Sequence, residues 1–223
     1  MADFDAILFD LDSTLCVSDQ DEEAVLAEAF DRVSVDQYCT VADIIAAVDD
    51  ISTPKTPHEF YEFCFAVTAR KAGIETHHAS DLATAYEACL DHSAVSFRPG
   101  AEAALAAASD ANLGLVTNWD EATQTVKLDA LGISDVFDTP VFANPRDGVP
   151  PKPDPTPFER ALSELDSEPG NTIHVGDSLG ADVAGANGLD IDSVWVPYKE
   201  QVTDPTPEPT HILPSLAEFP SLL

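Results

Sequence analysis

Two aspartates near the start of the chain, Asp10 and Asp12, are the residues with the clearest potential for chemistry. They follow the apolar run 4–9, whose length suits one buried parallel strand. Open α/β sheets bind their ligands at the carboxyl ends of such strands. A solvated turn would account for one aspartate there, but less well for the whole pattern D-x-D-x-T-L over residues 10–15. Carboxylates so placed can act as nucleophiles, as proton donors and acceptors, or as ligands of a hard cation such as Mg²⁺.

Two further segments carry polar residues that suit a phosphate ligand. Thr117 ends a predicted strand over 113–117 and Asn118 follows it, and there a hydroxyl and the following backbone amide can bind a phosphoryl oxygen. A threonine that merely caps the next helix explains this pair about as well. Lys152 lies between prolines in the segment 151–155, Pro-Lys-Pro-Asp-Pro, which restricts its backbone. A lysine is usually a solvated surface residue, but this one could offset the charge of carboxylates and phosphate.

A fourth segment, Gly-Asp-Ser-Leu-Gly-Ala-Asp over residues 176–182, follows a predicted strand over 172–176. A lone Gly-Asp pair would indicate only a turn. With Asp10, Asp12, Thr117 and Lys152 already present in this order, the four segments together resemble the four motifs of the haloacid dehalogenase (HAD) superfamily. The resemblance covers residues 1–15 and about 96–223.

The resemblance implies a mechanism and a role for each of these residues. Asp10 would be the nucleophile and a ligand of Mg²⁺, and Asp12 would supply a backbone carbonyl ligand and act as general acid and base. Asp177 would complete the protein ligands, while Asp182 would act on its neighbours or through water. Thr117, Asn118 and Lys152 would bind the phosphoryl group, Thr117 and Lys152 also counting among the catalytic residues.

The function expected from the resemblance is that of a Mg²⁺-dependent phosphatase, similar to phosphoglycolate phosphatases, acting on a small phosphorylated metabolite. Three alternatives stay open: a phosphomutase, a haloacid dehalogenase and a non-catalytic protein that binds a phosphorylated ligand. Dehalogenases need no Mg²⁺ and lack an aspartate two residues after the nucleophile, so Asp12 argues against that alternative. A binding protein would be expected to have lost the nucleophile or the acid, and both are present.

The elements that must position these residues form an alternating pattern outside the segment 16–95. Predicted strands over 4–9, 113–117, 140–143, 172–176, 193–196 and 211–213 alternate with helices, which indicates a Rossmann-like, doubly wound parallel sheet. Thr156 and Glu159 are spaced as a capping box at the start of one of these helices. Residues 16–95 are predicted to hold four helices and no strand, as an inserted helical bundle. We therefore predict a core of 1–15 and 96–223 with a helical cap over 16–95.

Composition limits the classes of partner. The 223 residues carry ten Lys plus Arg against 41 Asp plus Glu, a net charge of −31, so nucleic acid and anionic membranes are poor partners. No apolar run approaches the ~20 residues of a membrane span, and no signal peptide is evident, so a cytoplasmic location is expected. Because the acid is spread along the whole chain, it also predicts a halophilic surface adapted to high salt. The sequence leaves the oligomeric state open.

Overall fold

The computed structural model describes residues 4–51, 54–198 and 202–223. The chain divides into two compact units, one of Met1–Ser18 with Val95–Leu223 and the other of Asp19–Ala94. We call them the α/β unit and the helical unit. No helix in the described ranges has the length and apolar character needed to cross a membrane.

Strands and helices alternate along most of the α/β unit, whereas the described residues of the helical unit form helices and loops without a strand. The strands among the described residues are β1 (Ala6–Phe9), β2 (Cys16–Ser18), β3 (Val95–Phe97), β4 (Asn112–Asn118), β5 (Thr139–Ala143), β6 (Thr172–Gly176), β7 (Asp192–Trp195) and β8 (His211–Ile212). The α-helices there are α1 (Glu22–Val33), α2 (Val41–Ile45), α3 (Pro57–Ala72), α4 (Ala79–Glu87), α5 (Ala101–Ala107), α6 (Glu121–Leu131), α7 (Thr156–Leu165) and α8 (Ala184–Asn187).

Six strands of the α/β unit form one sheet in the order β5-β4-β1-β6-β7-β8, and every pairing within it is parallel. The chain builds the sheet outward from β1 through β4 to β5, then returns to the other side of β1 with β6. The topological switch point, where such sheets bind ligands, therefore lies at β1. The predicted doubly wound α/β fold is confirmed.

The sheet is covered on both faces because its central strand is apolar on both. Ile7 and Phe9 of β1 lie in one buried cluster, which includes Phe219. Ala6 and Leu8 lie in a second cluster, which includes Phe158 of α7. All four side chains are at most 1% exposed, so the polar residues that follow β1 are held by a fixed backbone.

The helical unit has an apolar core of its own, built on Phe30, Phe65 and Leu82. Its longest helix, α3, begins after Thr56, whose side chain accepts a hydrogen bond from the Glu59 amide, and ends at Gly73 with φ of 74°. These are the signals expected of a capped helix with a left-handed glycine at its end. Thr40 caps α2 in the same way, because its side chain accepts a hydrogen bond from the Asp43 amide.

Two predictions about local structure are wrong. The segment after Leu15 does not become helical at once, because Cys16–Ser18 and Val95–Phe97 pair as the antiparallel strands β2 and β3. The α/β unit consequently extends to Ser18 and resumes at Val95. Three-residue strands leave too little pattern for a sequence to show them.

The second error concerns the start of α7. The helix begins at Thr156 as predicted, but without a capping box. The amide and hydroxyl of Thr156 both donate to Asp154 Oδ1, at 2.9 and 2.6 Å. Pro155 occupies the N-cap position and Thr156 is already the first residue of the helix, so its hydroxyl does not take the predicted capping place.

Candidate active site

Three adjacent strands deliver polar residues to one edge of the sheet. Asp10 directly follows β1, Thr117 and Asn118 end β4, and Asp177 directly follows β6. Since β4, β1 and β6 are neighbours and parallel, their carboxyl ends meet at this edge. This is the switch point of the sheet, where a ligand site is expected.

Lys152 joins two of the predicted aspartates. Its Nζ donates to Asp10 Oδ1 at 2.7 Å, to Asp182 Oδ1 at 2.6 Å and to the Val116 carbonyl at 2.7 Å. The lysine side chain is 2% exposed, and the two carboxylates are 8% and 3% exposed. Three acceptors use the three hydrogens of the ammonium group, so it is fixed in position.

The pKa values of Lys152 and Asp182 are each shifted by the charges of their neighbours. Burial by itself would lower the pKa of Lys152, but Asp10 and Asp182 together raise that pKa above its ordinary value. Burial would likewise raise the pKa of Asp182, but Lys152 and His174 lower it below its usual range. Lys152 and Asp182 are consequently held as a buried ion pair.

Asp182 is held by the backbone as well as by Lys152. His174 Nε2 lies 3.0 Å from Asp182 Oδ1, and the Ser178 amide donates to Oδ2 at 3.0 Å. Burial lowers the pKa of His174, more than the hydrogen bond to Asp182 raises it, so the ring is neutral and donates from Nε2. A side chain at Gly176 would collide with the Asp182 carboxylate, which explains the glycine before Asp177.

Asp10, Asp177 and Asp182 form a group that could hold a metal ion. One carboxylate oxygen from each lies within 4.8 Å of the others. The pKa of Asp10 is raised to about 7 and that of Asp177 to about 8, chiefly by burial and also by the charge of Asp182, although Lys152 lowers both. Without a cation, these two neighbouring carboxyl groups are difficult to ionise together. A hard divalent cation bound between them would favour their charged forms, so the group fits a metal site.

The loop around Asp177 is fixed by contacts from outside β6. Trp195 Nε1 on β7 donates to the Asp177 carbonyl at 2.6 Å, and the Thr14 hydroxyl lies 3.5 Å from Asp177 Oδ1. Arg98 donates to the Ser13 carbonyl at 2.6 Å and to the Pro197 carbonyl at 2.7 Å. These bonds tie the segment after β1 to the end of β7.

Asp12 contacts two side chains of α6 and not Lys152. Lys127 Nζ lies 2.7 Å from Asp12 Oδ1 and 2.8 Å from Oδ2, and Gln124 Nε2 donates to Oδ2 at 2.8 Å. Gln124 also donates to Thr117 Oγ1, and Asn118 Oδ1 accepts from the Lys152 amide at 2.9 Å. Thr117 and Asn118 thus connect the Asp12 group to the Lys152 group.

The sequence predictions missed Lys127, Gln124 and His174. Lys127 and Gln124 lie three residues apart on α6, a spacing that reads as an ordinary polar face of a helix. His174 stands inside an apolar strand and gives no local signal. The one available clue was that Lys127 is among only five lysines in a chain with a net charge of −31.

Comparison with known proteins supports the resemblance seen in the motifs. A family model described as haloacid dehalogenase-like hydrolase matches residues 4–190. The haloacid dehalogenase-like hydrolase domain-containing protein 3 of mouse is 36% identical over 48% of this chain, but the match spans only 43% of that relative's length. The ribulose-1,5-bisphosphate 5-phosphatase of Halopiger xanaduensis is 28% identical over 88% of this chain and 86% of its own.

A solved structure shows the same fold over the whole chain. The protein, described as a predicted phosphoglycolate phosphatase from Haemophilus somnus, superposes with a TM-score of 0.77 at 21% identity. The superposition covers 100% of this chain and 99% of the other. At this level of identity the likeness concerns the fold alone.

Proposed function

The chain belongs to the haloacid dehalogenase-like hydrolases, and we propose that it is a Mg²⁺-dependent phosphatase that hydrolyses a small phosphorylated metabolite through an aspartyl-phosphate on Asp10. The observation that carries the proposal is the group of Asp10, Lys152, Asp182 and Asp177 at the carboxyl ends of β1 and β6, with Asp12 two residues after Asp10. The ribulose-1,5-bisphosphate 5-phosphatase, which matches most of the chain, adds support.

In the first step a carboxylate oxygen of Asp10 attacks phosphorus as the bond from phosphorus to the leaving oxygen breaks. Lys152 holds Asp10 Oδ1 at 2.7 Å, which fixes the direction of the nucleophile. The proton that the leaving oxygen requires comes from the Asp12 carboxyl group. The Thr117 hydroxyl and the Asn118 amide would offer hydrogen bonds to the phosphoryl oxygens as charge develops on them.

In the second step water attacks phosphorus and the bond to Asp10 breaks. Asp12, now ionised, accepts the proton of that water, so one carboxyl group serves both steps and returns to its starting state.

Mg²⁺, bound by the carboxylates of Asp10 and Asp177 and the backbone carbonyl of Asp12, would supply positive charge for the phosphoryl oxygens and keep Asp10 ionised. Asp182, engaged by Lys152, His174 and the Ser178 amide, would position its neighbours without binding the cation itself.

The helical unit would choose the substrate. We propose that this unit, Asp19–Ala94, acts as a cap that recognises the leaving group, as its place between the first and second motifs implies. A phosphomutase uses the same residues and differs in protecting the phosphoenzyme from water, so it is the second candidate.

The test is a panel of phosphorylated metabolites, including ribulose 1,5-bisphosphate and phosphoglycolate, assayed for phosphate release with Mg²⁺ at low and at molar KCl. We expect release that EDTA removes and Mg²⁺ restores, and higher activity in molar KCl because screening lets an anionic substrate approach an anionic protein. Transfer of phosphate to a second sugar without release would indicate the mutase. Full activity without divalent metal would contradict the proposal.

A further inference from the structure

The Asp12 carboxylate is held by two side chains of α6. Lys127 Nζ approaches both carboxylate oxygens, at 2.7 and 2.8 Å, so the contact fixes the plane of the carboxylate as well as its place. The Lys127 side chain is 10% exposed and that of Asp12 is 39% exposed. The lysine is therefore anchored in the protein, while the carboxylate keeps one side accessible.

Gln124 connects the same carboxylate to the end of β4. Its Nε2 lies 2.8 Å from each of three oxygens, which are Asp12 Oδ2, Thr117 Oγ1 and the Asn118 carbonyl. The Gln124 side chain is fully buried, and its Oε1 has no hydrogen-bond partner among the described residues. An unpartnered buried carbonyl is unfavourable, and an apolar residue would avoid that cost. We conclude that Gln124 matters at this position for the hydrogen bonds that its Nε2 group donates.

We propose that Lys127 and Gln124 are positioning residues that hold the Asp12 carboxyl group in one orientation relative to the phosphate-binding end of β4. This inference rests on the proposed function, in which Asp12 gives a proton to the leaving oxygen. A simpler role for Lys127 would be to compensate the charge of Asp12 and so stabilise the fold. The two roles predict different kinetics.

If the carboxyl group loses its clamp, it reaches the leaving oxygen less often. The penalty falls on substrates whose leaving group needs a proton as the bond to phosphorus breaks. An alkyl phosphate needs it, whereas 4-nitrophenyl phosphate releases a stabilised anion and does not. The constant kcat/KM reports the steps up to phosphoryl transfer onto Asp10, so it isolates this proton transfer from the later hydrolysis.

The experiment compares Lys127→Met with Lys127→Arg on the best alkyl phosphate of the panel and on 4-nitrophenyl phosphate. For Lys127→Met we expect kcat/KM to fall about 30-fold with the alkyl phosphate and at most about threefold with 4-nitrophenyl phosphate. Lys127→Arg keeps the charge and the paired donors, so it should recover most of the loss. Equal losses on both substrates would overturn the inference.

A double-mutant cycle with Asp12→Asn gives the second test. If Lys127 acts through Asp12, Lys127→Met should change the alkyl phosphate rate by less than about twofold once Asp12 is Asn. An undiminished effect in that background would overturn the clamp, because Lys127 would then act independently of the Asp12 carboxylate.

Gln124→Met keeps Lys127 and removes the link to Thr117, so it tests the inference even where Lys127→Met lowers the melting temperature. We expect a loss of about tenfold, again confined to the alkyl phosphate. An active wild-type protein whose variants keep the wild-type substrate ratio would overturn the clamp alone. A wild-type protein without any phosphatase activity that depends on Asp10 would overturn the proposed function and the clamp together.

Discussion

The α/β unit buries several charged side chains, whereas the described part of the helical unit buries none. In the described part of the helical unit, Thr68 is the buried polar residue, and its hydroxyl donates to carbonyls of its own helix. The α/β unit buries Asp10, Lys127, Lys152 and Asp182.

The contrast is physical, because a buried charge is costly unless it is paired and hydrogen-bonded. In the helical unit the buried core is made by apolar packing around Phe30, Phe65 and Leu82. The α/β unit carries its charges at the carboxyl ends of the central strands, where a ligand would need them. The difference indicates that this edge of the sheet is shaped by chemistry at some expense of stability.

Removing the central cation should have the largest effect. Lys152→Met leaves Asp10 and Asp182 buried without their shared partner, and a buried ion pair that loses one member typically costs about 3–5 kcal/mol of unfolding free energy. We expect activity to disappear and the urea midpoint to fall sharply. An active variant of wild-type stability would show that the buried charges are incidental to both.

Asp12→Asn should lower activity without a comparable loss of stability. The amide can neither give nor take the proton, so formation and hydrolysis of the phosphoenzyme should both slow by about 10²–10⁴-fold. Rapid-quench single-turnover measurements separate the two steps. Unchanged rates for both would remove Asp12 from its proposed role.

The acidic group also predicts a dependence of stability on pH in protein freed of divalent metal. Asp10 and Asp177 have pKa values raised to about 7 and about 8 when folded, so near neutral pH they hold protons that the unfolded chain releases. Unfolding then releases protons, so stability falls as pH rises from about 4, near the pKa of an unfolded carboxyl group, to about 8, and it levels off above that. The lowered pKa of His174 acts in the opposite direction in the acidic part of this range, mainly below about pH 6.5, so the melts are compared from about pH 6.5 to about 8.5.

Thermal melts along this pH series measure the effect, and we expect the melting temperature to drop by several degrees. Asp177→Asn is the control, since it removes one of the two groups and should flatten the curve. A wild-type curve as flat as that of the variant would contradict the proposed burial of the carboxylates.

The smallest effect is expected in the helical unit. Lys71 pairs with Asp50 at 2.7 Å, but both side chains are more than half exposed. Lys71→Met, matched in size and chemistry to Lys152→Met, should change the unfolding free energy by less than about 1 kcal/mol. A loss as large as that of Lys152→Met would remove the contrast between the two units.

The sequence could predict features that depend on neighbouring residues, but not contacts between distant parts of the chain. Buried strands such as β1 and β6 can be recognised in the sequence because they are apolar runs. The aspartates were visible because they directly follow those strands. Partners that come from elsewhere in the fold were not, since nothing local shows that Lys127 and Gln124 on α6 meet Asp12, more than a hundred residues earlier.

Local rules also failed where two local partners compete. Thr156 has the spacing of a capping residue, but the helix begins one residue earlier than that spacing requires, with Pro155 at the N-cap and the Thr156 amide bound by Asp154. His174 shows the opposite case, because its role depends on Asp182 of the next segment and on burial that only the folded sheet provides.

The covalent intermediate on Asp10 is the central claim, and trapping it is the most direct test. Wild-type protein would be mixed with its best substrate and Mg²⁺, quenched in acid within the first turnover, digested and mapped by mass spectrometry. We predict a phosphate adduct on the peptide that carries Asp10, labile to hydroxylamine and absent from Asp10→Asn. Rapid turnover with no adduct at any time, or an Asp10→Asn variant that turns over at the wild-type rate, would contradict the account.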